Sequence, residues 1–320
     1  MQKSNCQNQN FVSLGLALAA TVAALLFGSL APAAGQIING VYPPGSTLYG
    51  KTYSQWSAAW WQWGDSLRIT YHPLYDTAPI DVGQSGPVWF FGGHWANNSV
   101  TTRSGAVPSG TALMFMIQGA AADNSGCPNP TSYSESVLRS SVQGAMDQAH
   151  DLTCTVDGVA VDGLLPSYRV QSPAFTFVTP PDNNILVDRE GEPCYDNSAP
   201  NAPPWTIRGA VADGVYVLLA PLAPGLHTVQ FTAQVGYPVY MVEDMTYNLT
   251  AVPVVLSIVQ QGNTVLLSWP DVTTNYVLEA TSALGSTNWS PAGGVVEAVP
   301  GGYQVALSIG SGNRFFRLRD

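Results

Sequence analysis

The sequence predicts a mainly β protein: an antiparallel β-sandwich carrying two helices, followed by a smaller C-terminal β-sandwich. Three observations predict it. Short apolar or alternating runs recur from Val88 to Leu318, separated by Gly, Pro and Asp-Gly turns. The strand–helix–strand rhythm of a parallel sheet is missing. Charged residues make up only 10% of the 320, so the wetted faces must be built from Ser, Thr, Asn, Gln and Gly.

The chain opens with a polar stretch, the apolar run Phe11–Leu30 and the small residues Ala31-Pro-Ala-Ala34. This pattern predicts a secretory signal peptide over 1–33, with an uncleaved membrane anchor as the alternative. No later run is long and apolar enough to span a bilayer. The formal net charge is −10 and becomes −11 once Lys3 is removed with the signal. Such a balance argues against nucleic acids and anionic membranes as partners and suits an uncharged ligand better than a polyanion.

Four of the nine tryptophans fall in Trp56–Trp63. At 100° per residue, Trp56, Trp60, Trp63 and Leu67 form one stripe, and Thr52 with Gln55 has capping-box spacing. A helix over 53–67 that docks on the sheet follows. Ser132 and Glu135 have the same spacing, and Leu138, Val142, Ala145 and Ala149 share a face, predicting a second helix over 133–150. Val88–Phe91 and Ala112–Ile117 read as buried strands, and Asp157-Gly158 as a hairpin turn. Further strands are expected at Tyr168–Val170, Ala174–Val178, Val215–Leu219, His227–Ala233 and Met245–Ala251, with a long Pro-rich loop over 180–204. Val252-Pro253 ends this domain (34–252), and six short runs fill 253–320.

Three cysteines remain beyond the signal. Cys127 and Cys194 lie in loop-like sequence, whereas Cys154 sits on the apolar parity of a strand, which predicts it buried and free. A Cys127–Cys194 disulfide is expected, with Cys127–Cys154 as the alternative. The first would close a loop of about 67 residues, worth roughly 4 kcal/mol in the chain-entropy account.

Leu267-Ser-Trp-Pro270, Tyr276-Val-Leu-Glu279, Trp289 and Phe315-Phe-Arg-Leu318 resemble the fibronectin type III-like modules, of immunoglobulin-like sandwich form, that end many secreted bacterial proteins. The resemblance implies an accessory role: spacing, attachment or protein contact. The Trp-rich segment 49–63, Gly83-Gln-Ser-Gly-Pro-Val-Trp89 and Pro221-Leu-Ala-Pro-Gly-Leu-His227 are similar to a family of uncharacterised secreted bacterial proteins over about 45–252. That likeness implies domain extent and no activity.

Candidate sites fall into three groups. Gly64-Asp-Ser-Leu67 and Asp147-Gln-Ala-His150 match the nucleophile and Asp-x-x-His blocks of GDSL-type hydrolases, which would make Ser66 the nucleophile, His150 the base and Asp147 its orienter. The surrounding sequence departs from that family, because Ser66 follows a capped helix instead of a buried strand. Metal candidates are His72, Asp76, Asp81 and His94 for a transition metal, and Asp182, Asp188, Glu190, Glu192 and Asp196 for Ca²⁺, neither set with diagnostic spacing. Trp61, Trp95 and Trp205 are candidate stacking rings for a glycan or a protein surface. The expectation that follows is an exported, non-catalytic binding or adhesion protein without a cofactor. A hydrolase of glycans or esters, using Ser66 and His150 or a carboxylate pair, is the alternative, and a structural envelope component the third.

Overall fold

The computed structural model describes residues 40–72, 74–75, 79–94, 100–127, 132–188, 191–270, 276–285, 287–300 and 302–319. The predicted signal segment lies outside them. A two-strand ribbon, β1 (Thr47–Leu48) and β2 (Lys51–Thr52), leads into helix α1 (Tyr53–Asp65). Then come β3 (Val88–Phe91), β4 (Val100–Pro108), β5 (Ala112–Ala122) and helix α2 (Glu135–Met146). They are followed by β6 (Ala149–Val156), β7 (Val159–Ala160), β8 (Arg169–Gln171) and β9 (Phe175–Thr179). Three long strands close this part: β10 (Trp205–Leu219), β11 (Gly225–Val235) and β12 (Met241–Val252).

Two sheets face each other. One runs β3-β5-β10-β8 with β9 also on β10, and the other runs β4-β12-β11-β6-β7. Most pairs are antiparallel, as expected, but β3–β5 and β4–β12 are parallel. Strand β4 is absent from the sequence reading. Its Val-Thr-Thr-Arg-Ser-Gly run has no apolar face, because β4 is an edge strand held by its ladder to β12.

Strand β5 explains the architecture. Its run Ala-Leu-Met-Phe-Met-Ile is buried at every position. Leu113, Phe115 and Ile117 pack into the space between the sheets with Phe231, Met245 and Tyr247. Ala112, Met114 and Met116 point the other way, into a second core beneath α1. A strand dry on both faces needs cover on both, and the Trp helix supplies the second.

Helix α1 begins with the predicted capping box: Thr52 Oγ1 accepts from Gln55 N at 3.3 Å and Gln55 Oε1 from Thr52 N at 2.9 Å. It ends at Asp65, where Ser66 caps it, leaving Leu67 outside. All four indoles are buried, and each N–H has an acceptor: Trp56 to Leu48 O at 3.0 Å, Trp60 to Phe91 O at 2.8 Å, Trp61 to Tyr216 Oη at 2.8 Å and Trp63 to Val82 O at 3.2 Å.

Helix α2 is shorter than predicted. Asn124 clamps the Tyr133 backbone at both N–H and C=O, which draws residue 133 into a loop and moves the cap to Ser134. At the other end, Ala149 and His150 leave the helical pattern to pair with Val235 and Gln234 of β11. Tertiary ladder bonds outweigh the local periodicity there. Asp157 and Gly158 take the positive φ values, 51° and 77°, that the β6–β7 turn requires. Cys127 and Cys194 are bonded to each other, and Cys154 is buried and free.

The remaining strands are β13 (Ser257–Gln261), β14 (Thr264–Pro270), β15 (Val277–Thr281), β16 (Ser290–Pro291), β17 (Glu297–Val299), β18 (Gly302–Ser308) and β19 (Phe315–Arg319). They form the sheets β13-β14-β18-β17 and β16-β15-β19 around one core with Leu267, Trp269, Leu278 and Val305 at its centre. Among the described residues no helix is long and apolar enough to cross a membrane.

Trp60 is 1% exposed and touches both the sheet and its neighbouring indoles. Trp60→Ala should cost about 3–5 kcal/mol in denaturant unfolding. Trp205→Ala, at a partly exposed ring, should cost clearly less by the same measurement.

Candidate functional site

A cavity of about 310 Å³ opens between α1 and the end of the β5–β10 ladder. Local sequence builds it. Val215 pairs with Gln118 and Tyr216 with Met116, so Ile117 is an extra, bulged residue. A bulge kinks its strand locally and raises its twist, and the cavity is lined by residues 116–121 around this bulge. Gly119 matters here: a Cβ would meet Met116 Sδ at 2.2 Å. Trp61 and Asp65, one helical turn apart, form the α1 wall, with Phe175 and Phe177 of β9 opposite polar contributions from His94, Asp123 and Glu243.

Glu243 is 5% exposed. It sits on the same parity of β12 as Met245, Tyr247 and Leu249, and so points inward with them. Its Oε1 accepts the His94 N–H at 2.6 Å. The segment 92–94 that brings this N–H is itself tied down. Tyr247 Oη donates to Gly92 O, while Arg103 Nη1 donates to Tyr247 Oη at 3.2 Å and Nη2 to Tyr75 O at 2.7 Å. A Cβ on Gly93 would stand 2.7 Å from Glu243 Oε1, so a side chain there would displace the carboxyl. Burial pushes the Glu243 carboxyl up to about 8, against the opposing pull of the His94 N–H and the Arg103 charge. An acid poised near neutral pH inside an apolar cavity is able both to donate and to accept a hydrogen bond there.

The hydrolase set does not assemble. Ser66 Oγ donates to Trp63 O at 2.7 Å as part of the helix cap. Asp147 pairs with Arg169 at 2.7 Å, and Arg169 also grips the buried Asp213. His150 lies on β6, not at a helix end, with Nδ1 3.0 Å from Asp151, Nε2 3.1 Å from Gly236 O and its ring stacked on Tyr237. Asp65, from the same Gly64-Asp-Ser-Leu67 block, is 9% exposed and lines the cavity.

Among the metal candidates, His72 is buried and accepts from Leu74 N, His94 contributes its backbone to Glu243, and Asp188 accepts from the Tyr75 hydroxyl. Asp182 pairs with Arg68, while Glu192 and Asp196 flank a short 3₁₀ turn, Pro193–Tyr195. Asp76 and Glu190 lie outside the described residues, as does Trp95. Among the described residues, Asp81 included, no three His, Cys, Asp or Glu side chains converge on a metal position. Trp61 is 8% exposed, so it is a cavity wall and not an open stacking platform. Trp205 is half-buried, its N–H on Pro181 O at 3.1 Å and its ring edge-on to Tyr195.

Sequence reasoning missed Glu243. The signal was present, since Glu243 continues the dry parity of β12 two residues before Met245, where the expected strand began.

Two histidines also have acceptors at both ring nitrogens. His227 places Nδ1 2.7 Å from Asp157 and Nε2 2.8 Å from Ala223 O. Burial works against its charge, but Asp157 and Ala223 O outweigh burial and raise its pKa; Gly236 O and Asp151 raise that of His150. All three raised groups, Glu243 included, bind their protons more tightly when folded. Each contributes stability that is present below its unfolded pKa and is lost as pH rises through its folded value. Thermal stability should therefore fall between about pH 4.5 and pH 8, and Glu243→Gln should flatten that fall, as melting curves at stepped pH will show. No protein-family model matches this chain, and no curated protein does.

Proposed function

We propose that the chain is an exported, non-catalytic binding protein that holds a small molecule in the cavity beneath the Trp helix. The observation carrying this reading is the cavity itself. Its 310 Å³ falls within the range of small-molecule sites, and its aromatic walls with a few polar groups, Asp65 and Glu243 among them buried, have the composition of such sites. Export is supported by the apolar N-terminal run and by the Cys127–Cys194 bond, which suits an oxidising compartment. The C-terminal sandwich then serves as the accessory spacer or attachment module that its resemblance implies.

A second reading is favoured by one observation: Asp65, Asp123 and Glu243 line the same cavity. A raised acid such as Glu243, with an aspartate on the same cavity wall, supplies the residue types a glycan hydrolase uses.

Saturation-transfer NMR with benzyl alcohol and phenyl glucoside tests the first reading. Both probes should show transfer to the mature chain, and Ala121→Trp, which sets an indole at the cavity rim, should abolish it. Release of nitrophenol from nitrophenyl glycosides, lost in Glu243→Gln, would instead establish the hydrolase.

A further inference from the structure

The charge on the cavity wall is one-sided. Asp65, Asp123 and Glu243 line it, and none of the described lining residues is a lysine or arginine. Trp61, Phe175 and Phe177 add ring surface, which attracts positive charge through the electron-rich faces. Glu243 is 95% buried by its 5% exposure, yet among the described residues its one hydrogen bond is that from His94 N–H; its second oxygen accepts none. Arg103 acts on Glu243 through its charge and not through a hydrogen bond, its Nη atoms reaching Tyr247, Tyr75 and Gly93. A buried carboxyl with spare acceptor capacity, in an aromatic cavity with no lysine or arginine among its described lining residues, is matched by a ligand that brings the cation.

We infer that the occupant is an organic cation, an ammonium group on a small apolar or aromatic body, seated with its charge against Glu243. The inference rests on reading the cavity as a ligand site. The groups that face or influence Glu243 are Arg103 on β4, His94 beyond β3, Asp65 on α1, Asp123 beyond β5, and Asp244 and Tyr247 on its own strand. Without a cation beside it the carboxyl, raised to about 8 by burial, keeps its proton at neutral pH. An entering cation stabilises the carboxylate, so the O–H bond breaks, the proton passes to solvent, and the carboxylate stays beside the ammonium.

The test uses isothermal calorimetry on the mature chain with benzyltrimethylammonium, whose charge does not titrate, against neutral benzyl alcohol. The cation should bind at least about tenfold more tightly at pH 9 than at pH 6.5, because the ionised fraction of the carboxyl rises by that factor or more. At pH 6.5 its binding should release close to one proton, read from the heats in two buffers of different ionisation enthalpy. Glu243→Gln should weaken the cation about tenfold or more at pH 9 and remove its pH dependence, with benzyl alcohol unaffected; Ala121→Trp should abolish both. The wild-type proton release stands as the test if the Gln variant fails to fold. Binding of benzyl alcohol without binding of the cation overturns this inference and leaves the cavity reading intact. Cation binding that ignores pH, or that survives Ala121→Trp, also overturns it. If neither probe binds, both readings fall.

Discussion

Strand β5 is apolar on both of its faces, and a sheet built around such a strand is stable only when both are shielded from water. The facing sheet covers one side with Phe231, Met245 and Tyr247. The other side is covered by a helix that carries four indoles in eight residues. Indoles bury a large apolar area but bring an N–H that must not be stranded. Each one here reaches an oxygen: three backbone carbonyls, at Leu48, Val82 and Phe91, and the Tyr216 hydroxyl. Those acceptors lie on the ribbon, on a loop and on two strands of the central sheet, so the helix is fixed in rotation as well as in position.

That fixed rotation is what makes the cavity. Trp61 and Asp65 are a helical turn apart, and with Trp61 tied to Tyr216 the Asp65 side chain has to face the same space. The bulge at Ile117 shifts the β5–β10 register by one residue, and the segment from Met116 to Ala121 lines the cavity. Glu243 enters from the opposite sheet, held by a chain of bonds that runs from Arg103 through Tyr247 to Gly92 and on to the His94 N–H. Three separate layers thus contribute to one small polar cluster in an otherwise apolar space, and desolvation gives its buried acid a proton at neutral pH.

The histidines show the opposite use of the same groups. His150 and His227 sit at the surface with acceptors at both ring nitrogens, where each ties a turn to a strand. Neither has a nucleophile in its bonding shell. Ser66, Asp147 and His150, which match hydrolase blocks in sequence, are engaged in a cap, an ion pair and a turn and not with one another.

What the amino-acid order determined alone is whatever depends on neighbours along the chain. The capping box at Thr52 and Gln55, the Asp157-Gly158 turn, the doubly buried runs at Val88 and Ala112, and the alternation of β11 are all local patterns, and all are found. Six of the seven C-terminal strands were legible for the same reason, while the two-residue β16 (Ser290–Pro291) was not. Partners distant in sequence decided the rest. Strand β4 exists because β12 offers it a ladder, α2 stops at Met146 because β11 claims Ala149 and His150, and Trp61 is a wall because Tyr216 sits 155 residues away. The cavity is the extreme case. Its acids at 65, 123 and 243 have no spacing to read, since only the packing of helix, bulge and opposing sheet brings them to one place, where burial raises the pKa of Glu243.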